Sequence, residues 1–337
     1  MNIIEYVYQN LNTFSEKEFN MVDSLVLSQL SYARMEGHRE KCIRDYNKLE
    51  YFPDMFCDDI SDKENKELFM AAAMSPRFRD IRITNRMTRT YKDEQFAAFT
   101  FDAGPFRYVA FRGTDGSMAG WRENFRLSYK ETIPAQKAAE KYLLKEQPDY
   151  AGGQSKGGNL AAYGGIKAGV PNIHCFDSPG FPPVVADSLD GSNVTKYIAE
   201  SSVVGVLLED ISKAKCVKSD ALFLNQHLAY SWKVKGDSFE FAKKLSPFSD
   251  YLSKVTSGWL LHLPQEEKRT FVETLFDALE ENGIRTVTDL KEVKLHDVMQ
   301  ILESIHNKEV KDTLKEVVKA FSKESIKTIK DGIHLAK

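Results

Sequence analysis

The stretch Gly153-Gln154-Ser155-Lys156-Gly157 has the form G-x-S-x-G and continues as Gly158-Asn159-Leu160-Ala161. This pattern is typical of a nucleophile elbow, a sharp turn from a strand to a helix that exposes a serine hydroxyl. Small residues on both sides of the serine allow the strand and the helix to approach closely. The same residues also fit a glycine-rich turn in which Ser155 only caps a helix. The rest of the chain must therefore supply a base, an acid and oxyanion donors.

The composition is that of an ordinary globular protein, with 42% hydrophobic and 28% charged residues among 337. A net charge of −3 gives no reason to expect nucleic acid or an anionic membrane as a partner. The four cysteines form no C-x-x-C pair, which predicts reduced thiols without zinc or disulfides; they are Cys42, Cys57, Cys175 and Cys216. The first residues lack a signal-peptide pattern and no apolar stretch could cross a bilayer. We therefore expect a cytoplasmic protein with no transmembrane segment, metal or cofactor.

Strands and helices alternate through the middle of the chain, which predicts an α/β fold with a mostly parallel central sheet. Helices are predicted at residues 23–34, 66–73, 134–144 and 159–168, and strands at 95–101, 107–111, 173–176 and 195–199, with a strand-like run at 221–224. Asp23 or Ser24 is the expected cap of the first helix. Before the serine, Asp149-Tyr150-Ala151-Gly152 has few of the β-branched residues typical of a central strand, so a shortened strand is predicted there.

From about Pro247 the pattern becomes helical. Glu266 to Asn282 forms an amphipathic pattern that Asn282-Gly283 would close, and Lys291 to Lys337 predicts further helices. We predict two parts, residues 1–246 as an α/β domain with an N-terminal helical segment, and residues 247–337 as a helical C-terminal extension.

The base and the acid of an elbow enzyme follow the serine along the chain. His227, in Asn225-Gln226-His227, comes late in the α/β part and just after the strand-like run, where a loop base is expected. His174 lies within a predicted strand, and the later histidines lie in the helical part. We predict His227 as the base; a purely structural histidine is the alternative.

Asp177 is the predicted acid, because it ends the strand 173–176 and carboxyl ends of parallel strands face the site crevice. A carboxylate there would hold the imidazole in the correct tautomer. Glu200, Glu209 and Asp210 remain alternative acids, and Asp177 could instead cap the turn that follows it.

Two backbone groups are the predicted oxyanion donors. One is the N–H of Lys156, directly after the serine, and the other belongs to the loop Phe111-Arg112-Gly113-Thr114-Asp115. Thr114 can offer both its N–H and its hydroxyl. The alternative is a turn that serves only for capping.

Six motifs occur in a fixed order, and together they resemble the Mbeg-like proteins, a bacterial α/β-hydrolase group similar to the class 3 lipases. The motifs are Phe111–Asp115, Gly120–Phe125, Pro134–Gln136, Gly153–Ala161, Phe176–Phe181, and Gln226-His227 with Ser231-Trp232. The resemblance covers about residues 20–240. It implies an α/β-hydrolase fold with Ser155 as nucleophile, Thr114 as oxyanion residue and His227 as base.

Three positions depart from the family pattern. Gln154 stands where a histidine commonly precedes the serine, and Glu123-Asn124 stands where Glu-Asp is usual. Where class 3 lipases carry their acid, residues 200–204 contain no aspartate. The last departure favours Asp177, a position reminiscent of the acid in pancreatic-type lipases.

The sequence thus predicts a serine esterase or lipase-like hydrolase that cleaves a small-molecule acyl ester through Ser155, His227 and Asp177. Acyl transfer through the same acyl-enzyme is one alternative. The other is a hydrolase fold without catalysis that binds a partner, which the shortened strand and the missing class 3 acid would favour.

Overall fold

A seven-stranded sheet with helices on both faces dominates the computed structural model of the chain. The structure describes residues 1–57, 61–91, 94–114, 118–255 and 264–281, together with residues 283, 308, 311 and 312. Within these residues the sheet consists of β1 (Arg82–Tyr91), β2 (Glu94–Asp102), β3 (Arg107–Phe111), β4 (Tyr150–Gln154), β5 (Asn172–Phe176), β6 (Val194–Ala199) and β7 (Lys215–Val217). The strands lie side by side in chain order, antiparallel from β1 to β3 and parallel from β3 to β7. A separate two-stranded ribbon joins β8 (Val234–Lys235) and β9 (Ser238–Phe239).

Helices cover the two faces of the sheet in two groups. The helices of the described residues are α1 (Ile3–Gln9), α2 (Met21–Leu30), α3 (Phe52–Met55), α4 (Asp62–Met74), α5 (Met118–Arg126), α6 (Pro134–Glu146), α7 (Lys156–Ala168), α8 (Pro183–Ala186), α9 (Pro247–Val255) and α10 (Gln265–Glu281). Helices α1, α2 and α4 share one buried core with one face of the sheet, and α6 and α7 share another core with the opposite face.

Strand β2 illustrates why the sheet is buried on both sides. Phe99 and Phe101 pack into the core of α1, α2 and α4, whereas Phe96 and Ala98 pack against α6 and α7. Successive side chains of a strand point to opposite faces, so a strand covered on both sides needs apolar residues at every position. The strand predicted at residues 95–101 is confirmed as β2, and it forms the predicted hairpin with β3.

The N-terminal segment is tied to the domain by a buried ion pair. Arg77 donates to both carboxylate oxygens of Asp23 at 2.8 and 2.6 Å, and both side chains are fully buried. The guanidinium also donates to the carbonyls of Asn12 and Glu18, and the Tyr6 hydroxyl donates to Asp23. A buried charge is tolerated only when its hydrogen-bonding groups are satisfied in this way. Asp23 is thus the buried ion-pair partner of Arg77, and it also accepts a 3.0 Å hydrogen bond from the backbone N–H of Asn20 at the start of α2.

Two local predictions were wrong. Helix α2 begins at Met21, because the Asn20 side chain accepts hydrogen bonds from the backbone N–H groups of Val22 and Asp23, so neither Asp23 nor Ser24 is its cap. The run 221–224 forms no strand; residues 223–227 form a 3₁₀ turn, and the last strand of the sheet is β7. A short apolar run alone does not distinguish a strand from a helical turn.

The strand before Ser155 is not shortened. Strand β4 has five residues, as many as β3 and β5, and pairs with both of them. A methyl group on Gly153 would lie 2.7 Å from the carbonyl oxygen of Phe111 and would overlap the backbone of Gly157, and a methyl group on Gly157 would overlap Phe111 as well. Strand and helix backbones therefore touch here, which excludes the β-branched residues that would normally mark a central strand.

The C-terminal part packs on the domain through α9 and α10. Phe248 and Leu252 of α9 join a cluster with Ile198 and Val206. The predicted helix 266–282 is α10, while the helices predicted within Lys291–Lys337 lie, apart from residues 308, 311 and 312, outside the described residues. The boundary between residues 246 and 247 stays a prediction.

Helix α10 is held against α5 by charge. Glu273 pairs with Arg122 and Arg126 and accepts a hydrogen bond of 2.7 Å from Tyr129. Burial raises the pKa of Glu273, but hydrogen bonds from Arg126, Tyr129 and Arg122 outweigh it and lower that pKa to about 2. The carboxylate therefore stays charged well into the acid range, and the contact between α5 and α10 persists with it.

A mostly parallel sheet, covered by helices on both faces and with a serine turn between β4 and α7, is α/β-hydrolase-like, as predicted. Among the described residues no helix is both long and apolar enough to cross a bilayer. The described residues include all four cysteines, and no disulfide joins them.

The close contact between β4 and α7 can be tested by substitution of Gly157. Alanine is the better helix former by about 1 kcal/mol, so Gly157→Ala would stabilise α7 if space allowed. Because its methyl group would overlap the backbone of Phe111, we expect the substitution to lower the free energy of unfolding by about 3 kcal/mol. Gly37→Ala is the control, since nothing lies within 4 Å of the added carbon. Urea unfolding measures both; equal stability of Gly157→Ala and wild type would contradict the contact.

Candidate active site

Ser155 occupies the strained turn between β4 and α7. Its φ of +59° and ψ of −132° lie in a region that residues other than glycine rarely adopt, and such strain persists mainly at functional sites. The backbone is held by a 2.8 Å hydrogen bond from the N–H of Ser155 to the carbonyl of Phe176. The residue is only 5% exposed. The sequence-predicted nucleophile thus has the backbone geometry of an elbow.

The hydroxyl of Ser155 makes no capping hydrogen bond to helix α7, although Ser155 is the N-cap residue of that helix. The alternative interpretation, in which Ser155 serves as a helix cap, therefore lacks the bond on which it depends. The first N–H groups of a helix have no partner within it and carry the positive end of its dipole. The turn thus places a serine oxygen at a site suited to negative charge.

His227 and Asp177 lie in direct contact. His227 Nδ1 is 2.6 Å from Asp177 Oδ2, and the Asp177 side chain is fully buried. The other carboxylate oxygen accepts a hydrogen bond of 3.2 Å from the N–H of Ala199. Asp177 follows β5 directly and has a φ of +44°, which an aspartate tolerates better than most residues. Asp177 thus faces the Nδ1 side of the imidazole with one carboxylate oxygen and the end of β6 with the other.

The loop that carries His227 is fixed by its neighbours in the sequence. The Gln226 side chain accepts from the N–H of Ser201 at 2.8 Å and donates to the carbonyl of Ala221 at 3.0 Å. Trp232, which is fully buried, donates its indole N–H to the carbonyl of Gln226 at 2.9 Å. These bonds link the 3₁₀ turn to the end of β6, so they hold His227 beside Asp177.

The other candidate side chains lie elsewhere. Glu200 and Glu209 are both described, and neither forms a hydrogen bond with His227. Asp210 pairs with Lys196. His174 lies in β5 as predicted, and burial lowers its pKa to about 4. Among the described residues no three His, Cys, Asp or Glu side chains come together as a metal site requires.

Gln154 takes the place on His227 that a serine would be expected to fill. Its side-chain Nε2 lies 3.3 Å from His227 Nε2 and donates to the carbonyl of His227 at 2.8 Å. Its Oε1 accepts a 2.7 Å hydrogen bond from the Tyr32 hydroxyl. Between Ser155 Oγ and His227 Nε2, both described, no hydrogen bond forms. His227, the predicted base, therefore lies beside the elbow but contacts the residue before the serine.

The loop after β3 lies against the elbow and is held from two sides. Arg112 donates to the carbonyl of Ser31 at 2.6 Å and pairs with Glu36 at 3.0 Å. Thr114 Oγ1 accepts from the Asn124 side chain at 2.8 Å, which leaves the hydroxyl proton of Thr114 available to donate. The loop thus presents the predicted oxyanion residue with its donor uncommitted to Asn124.

The side chain of Lys156 is buried directly beside the elbow. It is only 1% exposed and its ammonium group pairs with Glu123, itself 6% exposed, and donates to the carbonyl of Gln95 at 2.9 Å. The pair fastens α5 to the residue that follows the serine. Sequence reasoning identified Lys156 only by position, because a buried lysine has no local signature.

Two other motifs meet behind the elbow. Gln136, which is 1% exposed, donates to the side-chain oxygen of Asn159 at 2.8 Å, and Asn159 donates to the carbonyl of Gly180 at 2.8 Å. The start of α6, helix α7 and the loop after Asp177 are thereby tied together. These motif residues support the site without lining it.

Tyr32 is the site residue that sequence reasoning missed. It lies just beyond α2, 122 positions before Gln154, and nothing in its local sequence indicates which residue its hydroxyl would meet. The glutamine itself was visible as a departure from the family pattern, but its partners were not.

The contribution of the buried ion pair between Lys156 and Glu123 to stability can be measured. We expect Glu123→Ala to lower the free energy of unfolding by about 3–5 kcal/mol, because an unpaired ammonium group would remain buried. Asp250→Ala, which removes the exposed pair with Lys254, is the control and should change it by less than about 0.5 kcal/mol. Urea unfolding at neutral pH measures both. Similar losses for the two variants would contradict a desolvated pair.

Two solved lipase structures resemble the chain at low similarity. A structure of the Rhizomucor miehei lipase propeptide complex is 13% identical with a TM-score of 0.35, and the match covers 59% of this chain and 67% of that one. The M37 lipase is also 13% identical with a TM-score of 0.35, and covers 70% of this chain and 90% of its own. At this similarity neither structure bears on the chemistry of the site. No curated protein matches the chain.

A family model is more informative. The model described as Mbeg1-like matches residues 72–277, which include the loop after β3, the elbow, Asp177 and His227. This span is more than half of the chain. The chain therefore belongs to the Mbeg1-like family, as its motifs predicted.

Proposed function

We propose that the chain is a serine hydrolase that cleaves a carboxylic ester, with Ser155 as nucleophile, His227 as base and Asp177 as acid. The observation that carries the proposal is the 2.6 Å contact between Asp177 and His227 beside a serine in elbow geometry. A serine, an acid and a base that occur in this chain order and meet at one edge of a parallel sheet are typical of elbow hydrolases.

The proton path follows from the contact with Asp177. Because Asp177 accepts the Nδ1–H, the lone pair of His227 is on Nε2, where it can take the proton of Ser155 as Oγ attacks the ester carbonyl. The imidazolium then returns that proton to the departing alcohol, and the acyl group remains on Ser155. Water, deprotonated by the same Nε2, releases the acid and restores the serine.

Negative charge on the tetrahedral oxygen would be met at two places. The backbone N–H of Lys156 lies at the N-terminus of α7, and Thr114 contributes its N–H and hydroxyl from the loop after β3. Asn124 supports this role, since it donates to Thr114 Oγ1 and so turns the hydroxyl proton toward other acceptors.

The substrate in this proposal is a small-molecule acyl ester, and no cofactor is required for the reaction. The four cysteines form no disulfide among the described residues, which accords with a reducing compartment, so we propose a cytoplasmic location as well.

A binding protein with an inactive hydrolase fold is the second candidate. The missing hydrogen bond between Ser155 and His227 favours it, because Gln154 holds the base instead. Catalytic hydrogen bonds are often long in the absence of substrate and tighten in the complex. A reactivity measurement on Ser155 separates the two candidates.

Covalent labelling tests the nucleophile. A fluorophosphonate probe should label wild-type protein at one site, and Ser155→Ala should abolish the labelling. Ser178→Ala is the control, since Ser178 is also buried and lies next to Asp177; it should keep the labelling. An unlabelled wild type, or a labelled Ser155→Ala, would end the proposal.

A second measurement tests the acid. We expect Asp177→Asn to slow the labelling of Ser155 by about 10²–10⁴-fold, because asparagine cannot stabilise the imidazolium or enforce the tautomer. Glu200→Gln and Glu209→Gln should react as fast as wild type, because neither side chain bonds to His227. A large loss in either glutamate variant, with Asp177→Asn unaffected, would reassign the acid.

A further inference from the structure

The side-chain amide of Gln154 has only one possible orientation. One end lies 2.8 Å from the carbonyl oxygen of His227, which can only accept, so that end must be the NH₂ group. The other end is therefore the carbonyl oxygen, and it accepts from the Tyr32 hydroxyl at 2.7 Å. The assignment thus follows from the hydrogen-bond partners themselves.

The NH₂ group touches His227 twice. One hydrogen is directed to the backbone carbonyl at 2.8 Å, and the ring Nε2 lies 3.3 Å from the same nitrogen. An amide nitrogen cannot accept, so the ring Nε2 must be the acceptor and the ring proton must be on Nδ1, toward Asp177. Gln154 and Asp177 thus bind opposite sides of one neutral imidazole.

Tyr32 brings the N-terminal segment into this arrangement. The residue is 8% exposed, and its hydroxyl lies against Gly113, which directly precedes Thr114 in the loop after β3. It therefore fills the space between the loop after β3 and the elbow, where it holds the Gln154 amide in the orientation that His227 needs. Residue 32 lies outside the span 72–277 that the family model matches.

We propose that Gln154 is the positioning residue of His227, and that Tyr32 acts through it. This inference rests on the proposed function for its catalytic consequence. During the reaction the longer contact, at 3.3 Å, is exchanged for a hydrogen bond from Ser155 Oγ. The 2.8 Å bond to the His227 carbonyl remains, so it keeps the base beside the elbow while the ring takes and returns the proton.

The rate at which the fluorophosphonate probe labels Ser155 tests whether Tyr32 acts on His227 through Gln154. We expect Gln154→Leu to slow labelling about 100-fold, since a base misplaced by about 1 Å loses about that factor in rate. Tyr32→Phe keeps the amide but removes its hydrogen-bond donor, so we expect a smaller loss of about tenfold. The double variant should be no slower than Gln154→Leu, because Tyr32 then has no amide to orient. Tyr163→Phe is the control; Tyr163 is equally buried, at 8% exposure, but lies on α7.

Two results of this experiment would overturn the inference. Multiplied losses in the double variant would mean that Tyr32 acts independently of Gln154. A Gln154→Leu variant as reactive as wild type would mean that the glutamine has no role. Urea unfolding of each variant separates loss of structure from loss of position, and Tyr32→Phe, which removes one oxygen, carries the test if Gln154→Leu does not fold.

The second readout needs no activity. In wild type at neutral pH, ¹⁵N spectra should give His227 a protonated Nδ1 and a bare Nε2, assigned by the signals lost in His227→Gln. In Gln154→Glu a carboxylate faces Nε2, so both ring nitrogens should be protonated. A bare Nε2 in Gln154→Glu would refute the contact. If wild-type protein is not labelled by the probe, the proposed function fails, and these spectra alone decide whether Gln154 positions the imidazole.

Discussion

The backbone contact between strand β4 and helix α7 is the constraint on which the site depends. Gly153 and Gly157 touch each other and the end of β3, so that no side chain fits between them. This contact forces a sharp turn, and Ser155 adopts its strained backbone because the turn has no room for a gentler one. It also sets the loop after β3 beside the serine. Ser155, the N-terminus of α7 and the loop after β3 are thus brought together by this packing.

A contact this close has to be supported, and polar side chains supply the support. Arg112 fixes the loop after β3 to the end of α2, Lys156 fixes α5 to the elbow, and Gln136 with Asn159 fixes α6 to the loop after Asp177. Buried polar groups of this kind are stable only when fully paired, and each pair admits one arrangement. Arg112, Gln136 and Asn159, which belong to the sequence motifs, therefore support the candidate site through buried hydrogen bonds.

Much of the fold could be predicted from local patterns, and the failures have physical causes. Apolar runs buried on both faces, such as 95–101, identify strands directly. Strand β4 was underestimated because strand propensity measures side-chain packing, whereas Gly152 and Gly153 face the Tyr108 hydroxyl and helix α7 at distances that exclude side chains. Asp23 was predicted as a cap residue, but Asn20 holds that position; the ion-pair partner of Asp23, Arg77, is 54 positions away, and no local pattern reports such a contact.

The candidate site, too, could be predicted from the sequence only in part. Ser155, Asp177 and Thr114 could be placed because each follows a strand of one sheet, and parallel strands bring their carboxyl ends to a common edge. The neighbours of these residues are held by contacts from outside the parallel strands. Ser31 and Glu36 contact Arg112, and Tyr32 contacts Gln154. All three lie before residue 72, where the family match begins. The sheet thus brings the candidate site residues to one edge, while the N-terminal segment contacts Arg112 in the loop after β3 and Gln154 beside His227. That segment is therefore part of the structure that holds the candidate site in place.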